Sequence, residues 1–394
     1  MAFYYEHPKA EIPHGFSERQ KLYVLHHLLN FAFGLAIFLD KVGIAAEVDV
    51  LRAIMDGIPP LKDKHLLIKD SRFEKVKVRI YQPKTSTTGQ RRGILYLHGG
   101  VGRFGSIKAY ERTCRYFARN SNSVVVSVGY RLAPKHPYPT QFEDCLTAAT
   151  HFMRTAQDYG VDPSRIIICG DSSGGTLAAA VAQALANRGD LPKPRAQILI
   201  YPFLQSVDFN LPSYQQNKDI PILLKERTIV LGLKYLNIDL ETMKLMSKWS
   251  HVPEDLQLKY QKWVSADCIP HEFKTRGYTP STPLPLLKDV ATQFQPVFDP
   301  VFSPLLAEDS VIARLPEAFI LTCEYDVLRD DGLLYKKRLE DHGVKVTWCH
   351  LQDGFHGTVF LTVWGGLLAF QSEAFERICR YIAKKCNSVV VSVG

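Results

Sequence analysis

The sequence contains no C-x-x-C pair, no N-x-S/T glycosylation site and no low-complexity tract. Its eight cysteines stand apart, at 114, 145, 169, 268, 323, 349, 379 and 386, which argues against a zinc ribbon or thioredoxin-type chemistry. A length of 394 residues excludes a small disulfide scaffold, and Cys169 and Cys323 fall in apolar, strand-like runs that read as buried free thiols. Basic clusters are missing too: the net charge of +8 is spread along the chain, so no nucleic-acid partner is read from it. Such a charge favours, at most, an anionic membrane surface. The opening stretch "MAFYYEHPKAEIPHGF" is polar and broken by proline, unlike a signal peptide. Nothing in the pattern calls for a metal or an organic cofactor.

What is present is an ordinary globular composition, 46% hydrophobic and 22% charged, long enough for one large α/β domain with insertions or for two domains. Residues 22–39, "LYVLHHLLNFAFGLAIFL", approach the length of a membrane span. His26, His27 and Asn30 would be costly at membrane depth, so a helix lying on a membrane surface or packed over the active site is favoured over a true span.

Residues 1–65 read as helical up to the "GIPP" break at 57–60. Strands are expected at 75–82, 93–98, 124–130, 166–169, 196–202, 318–324 and 345–351. Helices are expected at 110–120, 140–158, 174–187 and 328–342, with a last one from about 372. Strands alternating with helices of this length imply a mostly parallel sheet covered on both faces. Between 206 and 295 the alternation fails, as expected of a lid inserted over the strand ends. The octapeptide "NSVVVSVG" at 122–129 recurs unchanged at 387–394; the second copy is read as an added edge strand or a disordered end with no assigned function.

The stretch "IIICGDSSGGTLAAA", residues 166–180, carries the chemistry. G-x-S-x-G fits Gly170, Asp171, Ser172, Ser173 and Gly174, with Ser172 central; the glycines let a strand turn sharply into a helix without side-chain collision. That helix turns its positive end to the serine, and the Ser173 N–H can face a developing oxyanion. A serine needs a base oriented by an acid, in the chain order serine, acid, histidine. "FILTCEYDVLRDDG" offers Glu324, Asp326, Asp330 and Asp331. Asp330 and Asp331 fall in a first helical turn that the helix dipole already explains, so Asp326 is the chosen acid and Glu324 the reserve. Of the later histidines, His342 ends a helix, His350 lies inside a strand, and His356, in "QDGFHG", follows that strand by a short glycine-flanked loop. His356 is therefore the expected base. Upstream, His98, Gly99, Gly100 and Val101 end a strand; the N–H groups of Gly99 and Gly100 are expected to join Ser173 as the oxyanion hole, with His98 bracing the loop.

Together "LYLHGG", "GYRLAPKHPYP", "GDSSGG", "CEYDVLRDDG" and "DGFHG" resemble the hormone-sensitive-lipase branch of the α/β-hydrolases, and within it the arylacetamide deacetylases, the type-4-like group in particular. The likeness runs from about residue 20 to 380. It implies an eight-stranded, mostly parallel sheet with flanking helices, and a Ser172–Asp326–His356 triad. A helical cap would come from residues 1–65 and 206–295, the core from 66–205 and 296–386, with 387–394 left over. It also implies hydrolysis of small lipophilic esters, with arylamides or acylglycerols as further substrates, and a place at the endoplasmic reticulum membrane. Two departures stand out. Val101 replaces the third glycine of the loop, where its side chain can crowd the acyl pocket. The chain is also expected to start just after the family's signal-anchor helix, which leaves a soluble cytoplasmic location as the alternative. The rival function on the same fold is a ligand-binding protein without catalysis. Oligomeric state is not legible.

Overall fold

A computed structural model describes residues 10, 12–13, 16–246, 251–280, 288–363 and 369–386; the repeated tail at 387–394 lies outside the described residues. Runs of valine and isoleucine uninterrupted by charge can settle only where both faces of a sheet are covered. They do so here. The sheet comprises β1 (Leu66–Phe73), β2 (Val76–Pro83), β3 (Arg91–Leu97), β4 (Val124–Gly129), β5 (Val161–Asp171), β6 (Ala196–Ile200), β7 (Ala318–Tyr325) and β8 (Val346–Phe355). Their order is β1-β2-β4-β3-β5-β6-β7-β8. The β1–β2 and β2–β4 pairs are antiparallel, and every pair from β4 to β8 is parallel.

Two-residue periodicity splits each strand between two cores. Ile166 and Ile168 pack with Ala178, Val181 and Phe152 on one face, while Ile167 and Cys169 pack with Phe117, Phe375 and Ile378 on the other. The first face is covered by α4 (Thr140–Arg154), α5 (Ser173–Ala186) and α11 (Arg329–Asp341), the second by α3 (Glu111–Ser121) and α13 (Ala374–Cys386). Burying an isoleucine fully contributes about 1.5–3 kcal/mol, so these two layers carry the fold. Cys169 and Cys323 are buried free thiols in them.

Between β6 and β7 the insertion forms α6 (Pro212–Gln216), α7 (Lys225–Leu236), α8 (Met243–Met246) and α9 (Glu254–Gln261), followed by α10 (Asp309–Ile312). The N-terminal segment forms α1 (Arg19–Lys41) and α2 (Glu47–Asp56), and α12 (Thr358–Thr362) follows β8. By length and composition α1 could cross a membrane. Here one face of it is packed: Leu22 and Leu25 meet Phe355, Leu361 and Phe370, and Ala36 meets Phe104, Leu231 and Leu51. The opposite face leaves Val24, Leu28, Phe31, Leu35, Phe38 and Val42 exposed.

Two expectations need correction. The strand Leu66–Phe73 directly follows the helical segment and was not expected from its own residues. As an edge strand with Lys69, Asp70 and Arg72 on its flanks, it lacks the apolar alternation of a half-buried strand. In addition, β8 runs on to Phe355, where the sequence suggested a loop after 351. A register shift between Cys323 and Tyr325 lets Tyr325 pair with Phe355. Gly354 is needed there, because a Cβ would lie 2.9 Å from the Cys323 sulfur.

Candidate active site

Ser172 is the single residue between β5 and α5, with φ 54° and ψ −124°. A non-glycine residue held there stores about 1–3 kcal/mol of strain, which the surrounding contacts must hold in place. The flanking glycines make the turn feasible. A Cβ on Gly170 would sit 2.1 Å from the Gly174 carbonyl oxygen, and one on Gly174 would sit 2.1 Å from that of Leu97.

His356 leaves the end of β8 and brings Nε2 to 3.0 Å from Ser172 Oγ. Its Nδ1 donates to Asp326 Oδ2 at 2.8 Å. Asp326, just past β7, is almost wholly buried; its other carboxylate oxygen accepts the Leu328 N–H at 2.9 Å. Asn217 of the insertion donates to the Asp326 main-chain carbonyl at 2.9 Å. The ring of Tyr201, at the end of β6, lies 4.8 Å from the imidazole. Neither Asn217 nor Tyr201 stood out in sequence; for Tyr201 the only signal is an aromatic residue before Pro202 at a strand end.

The other acids and histidines are engaged elsewhere. Glu324 accepts from His350 at 3.1 Å, Arg276 at 2.7 Å and Arg329 at 3.1 Å, so it does not face His356. Asp330 and Asp331 do more than sit at a helix start. Asp330 accepts the Ser213 N–H at 2.7 Å, and Asp331 accepts the Leu204 N–H at 2.8 Å and Gln205 Nε2 at 3.1 Å. They tie the insertion to α11, and burial pushes the Asp331 carboxyl up to about 7. His342 caps α11.

The loop after β3 is braced from below. Asp171 is fully enclosed and accepts from Tyr96 at 2.8 Å, Tyr110 at 2.9 Å and the Gly99 N–H at 3.1 Å. Burial raises its carboxyl above the usual range, against those three donors. Gly99 must accordingly be withdrawn from the expected oxyanion donors, because its N–H already points at Asp171. The N–H groups of Gly100 and Ser173 have no internal partner among the described residues. The Val101 N–H donates to Ser173 Oγ at 2.7 Å, with Val101 held at φ 54°. His98 stacks on Tyr130 at 4.2 Å, and its Nδ1 lies 2.9 Å from the Gly99 carbonyl oxygen. Burial pulls its imidazole down to about 4.

A cavity opens onto Ser172, walled by Val101, Tyr138, Phe142, Phe203, Tyr235 and Phe302 among others, none of them charged. Among the described residues no group of three or more His, Cys, Asp or Glu side chains is placed to hold a metal ion.

Comparison with known proteins agrees with this architecture. A family model described as an alpha/beta hydrolase fold matches residues 94–259 and 269–360. The chain belongs to the α/β-hydrolase family. Within it, it falls in the arylacetamide deacetylase-like branch. It is 44% identical to arylacetamide deacetylase-like 4 of Homo sapiens over 350 residues, covering 89% of this chain and 86% of that one. It is 40% identical to arylacetamide deacetylase of Bos taurus, covering 88% and 89%. Among solved structures, DphMB1 superposes with a TM-score of 0.64 at 28% identity, over 86% of this chain and 91% of that one. A bacterial heroin esterase shares the fold with a TM-score of 0.64 at 24% identity, over 89% and 93%.

Proposed function

We propose that Ser172, His356 and Asp326 are the nucleophile, base and orienting acid of a chain whose family makes it a hydrolase acting on ester bonds. One observation carries the reading: the unbroken chain Ser172 Oγ–His356 Nε2, 3.0 Å, and His356 Nδ1–Asp326, 2.8 Å, from three distant segments. His356 Nε2 takes the hydroxyl proton as Ser172 Oγ attacks the ester carbonyl. Asp326 holds the proton on Nδ1 and so keeps Nε2 as the acceptor. The N–H groups of Gly100 and Ser173 receive the charge that develops on the carbonyl oxygen. His356 then protonates the leaving alcohol. Water, deprotonated by the same nitrogen, releases the acid and restores Ser172.

The cavity supports a substrate class. With no charged side chain on its walls, a charged acyl or alcohol group would lose its hydration without compensation. Neutral lipophilic esters fit, and arylamides or acylglycerols of the same character are admitted. On this reading residues 1–65 and 206–295 form the cap over a core of 66–205 and 296–386. The exposed apolar face of α1 is the part that rests on a membrane surface, in keeping with the endoplasmic reticulum location the family resemblance implies.

Ser172→Ala should abolish turnover of p-nitrophenyl acetate while the melting transition stays cooperative; undiminished turnover refutes the assignment. Labelling of the wild-type chain by a fluorophosphonate separates this enzyme from a ligand-binding protein on the same fold, which would not react.

A further inference from the structure

One face of α7 turns to the cavity. Thr228, Gly232 and Tyr235, spaced i, i+4 and i+7, all line it together with Ser172. The middle position is a glycine inside a helix of 12 residues, where glycine costs helix stability relative to alanine. Backbone conformation does not ask for it, since Gly232 is helical and not among the glycines of positive φ. Packing does not ask for it either: a Cβ at Gly232 would meet no heavy atom within 4 Å. Gly102, on the same cavity, is the contrast, for a Cβ there would lie 2.4 Å from the Tyr235 ring. What the missing side chain at Gly232 leaves is empty space in a wall that Ser172 shares.

We infer that Gly232 sets the depth of this cavity and thereby the length of the neutral acyl or aryl group the enzyme accepts. The inference rests on Ser172 as the nucleophile. An ester whose carbonyl meets Ser172 lays its apolar chain along the α7 face, past Thr228 and toward Tyr235. Glycine at the midpoint lets that chain continue where any side chain would stop it. Thr228 and Tyr235 then fix the width, since both present bulk to the same face on either side of the gap. The helix thus gives up some intrinsic stability for room inside the cavity.

The test is a ladder of p-nitrophenyl esters, acetate, butyrate, octanoate and dodecanoate, turned over by the wild type, Gly232→Ala and Gly232→Leu. The ratio of kcat/KM for octanoate to that for acetate should fall roughly tenfold or more in Gly232→Leu, since even one misfitted methylene shifts selectivity by about that much. Gly232→Ala should shift it in the same direction by less and raise the melting temperature. Should the leucine variant fail to fold, the alanine variant, which favours the helix, carries the test alone. A ratio equal to the wild type's in the folded variants overturns the inference, as does an equal loss on every ester. Failure of the catalytic reading has a different signature, namely wild-type turnover that survives Ser172→Ala. The same length series, read as displacement of a cavity-bound fluorescent dye by alcohols from butanol to dodecanol, then still reports whether Gly232 sets depth.

Discussion

Ser173 Oγ accepts the Val101 N–H at 2.7 Å, so the residue beside Ser172 also ties down the loop that carries Gly100. Val101 is β-branched and sits at φ 54°, a conformation it would leave if released. Ser173→Ala removes the tie without touching the triad. We expect kcat for p-nitrophenyl acetate to drop about tenfold or more as the oxyanion donors lose alignment, with KM little changed and Ser173→Thr restoring the rate. Full activity in the alanine variant would show that the loop holds itself.

Asp326 and Glu324 are two residues apart on the same strand end, yet only Asp326 reaches His356. Asp326→Asn should lower kcat by about 10⁴-fold, because an amide can present its N–H to Nδ1 and select the wrong tautomer. Glu324→Gln should leave kcat within a few-fold and instead cost about 1–3 kcal/mol of stability, from the contacts it weakens with Arg276, Arg329 and His350. Steady-state kinetics with urea unfolding on both variants decides; reversed effects would move the acid to Glu324.

His98 gives a pH signature. Burial lowers its folded-state value from 6.5 to about 4, so on acidification the unfolded chain takes up the proton first. The stability contributed by the neutral ring is therefore complete above about pH 6.5 and is lost as pH falls toward about 4. His98→Asn cannot titrate in this range. The melting-temperature gap between wild type and variant should narrow steadily across that window, and a gap independent of pH would mean that the ring is not kept neutral by burial.

The stripe of Val24, Leu28, Phe31, Leu35, Phe38 and Val42 should bind bilayers through apolar contact. Phe31→Ser combined with Phe38→Ser is expected to reduce cosedimentation with phosphatidylserine-containing vesicles several-fold. Binding that persists in the double variant but vanishes in high salt would assign the contact to the chain's positive charge instead.

Much of the candidate site was legible because the residues that meet there carry local signals. Ser172 lies between glycines at a strand-to-helix junction, Asp326 just past a strand, and His356 beside a glycine near the next strand's end. The Gly99 assignment failed for a physical reason: its N–H is taken by Asp171, 72 residues away in sequence, and no local pattern records such a pairing. Asp330 and Asp331 do lie in the first turn of α11, as expected, but their ties to the insertion were not legible, since a helix-start acid looks alike whether it faces water or holds another segment. Strand β1 and the extension of β8 escaped notice because pairing along a sheet, and not their own apolar content, holds them extended.

By itself the sequence determined the alternation of strands and helices, through apolar periodicity, and the sharp turn at Ser172, through glycines that no other residue could replace. Tertiary structure alone decided that the Gly99 N–H is taken by Asp171, that Asp326 and not Glu324 meets the imidazole, and that Gly232 lines the cavity. Those outcomes depend on distances between segments far apart in the chain, and they take definite values only once both faces of the sheet are packed.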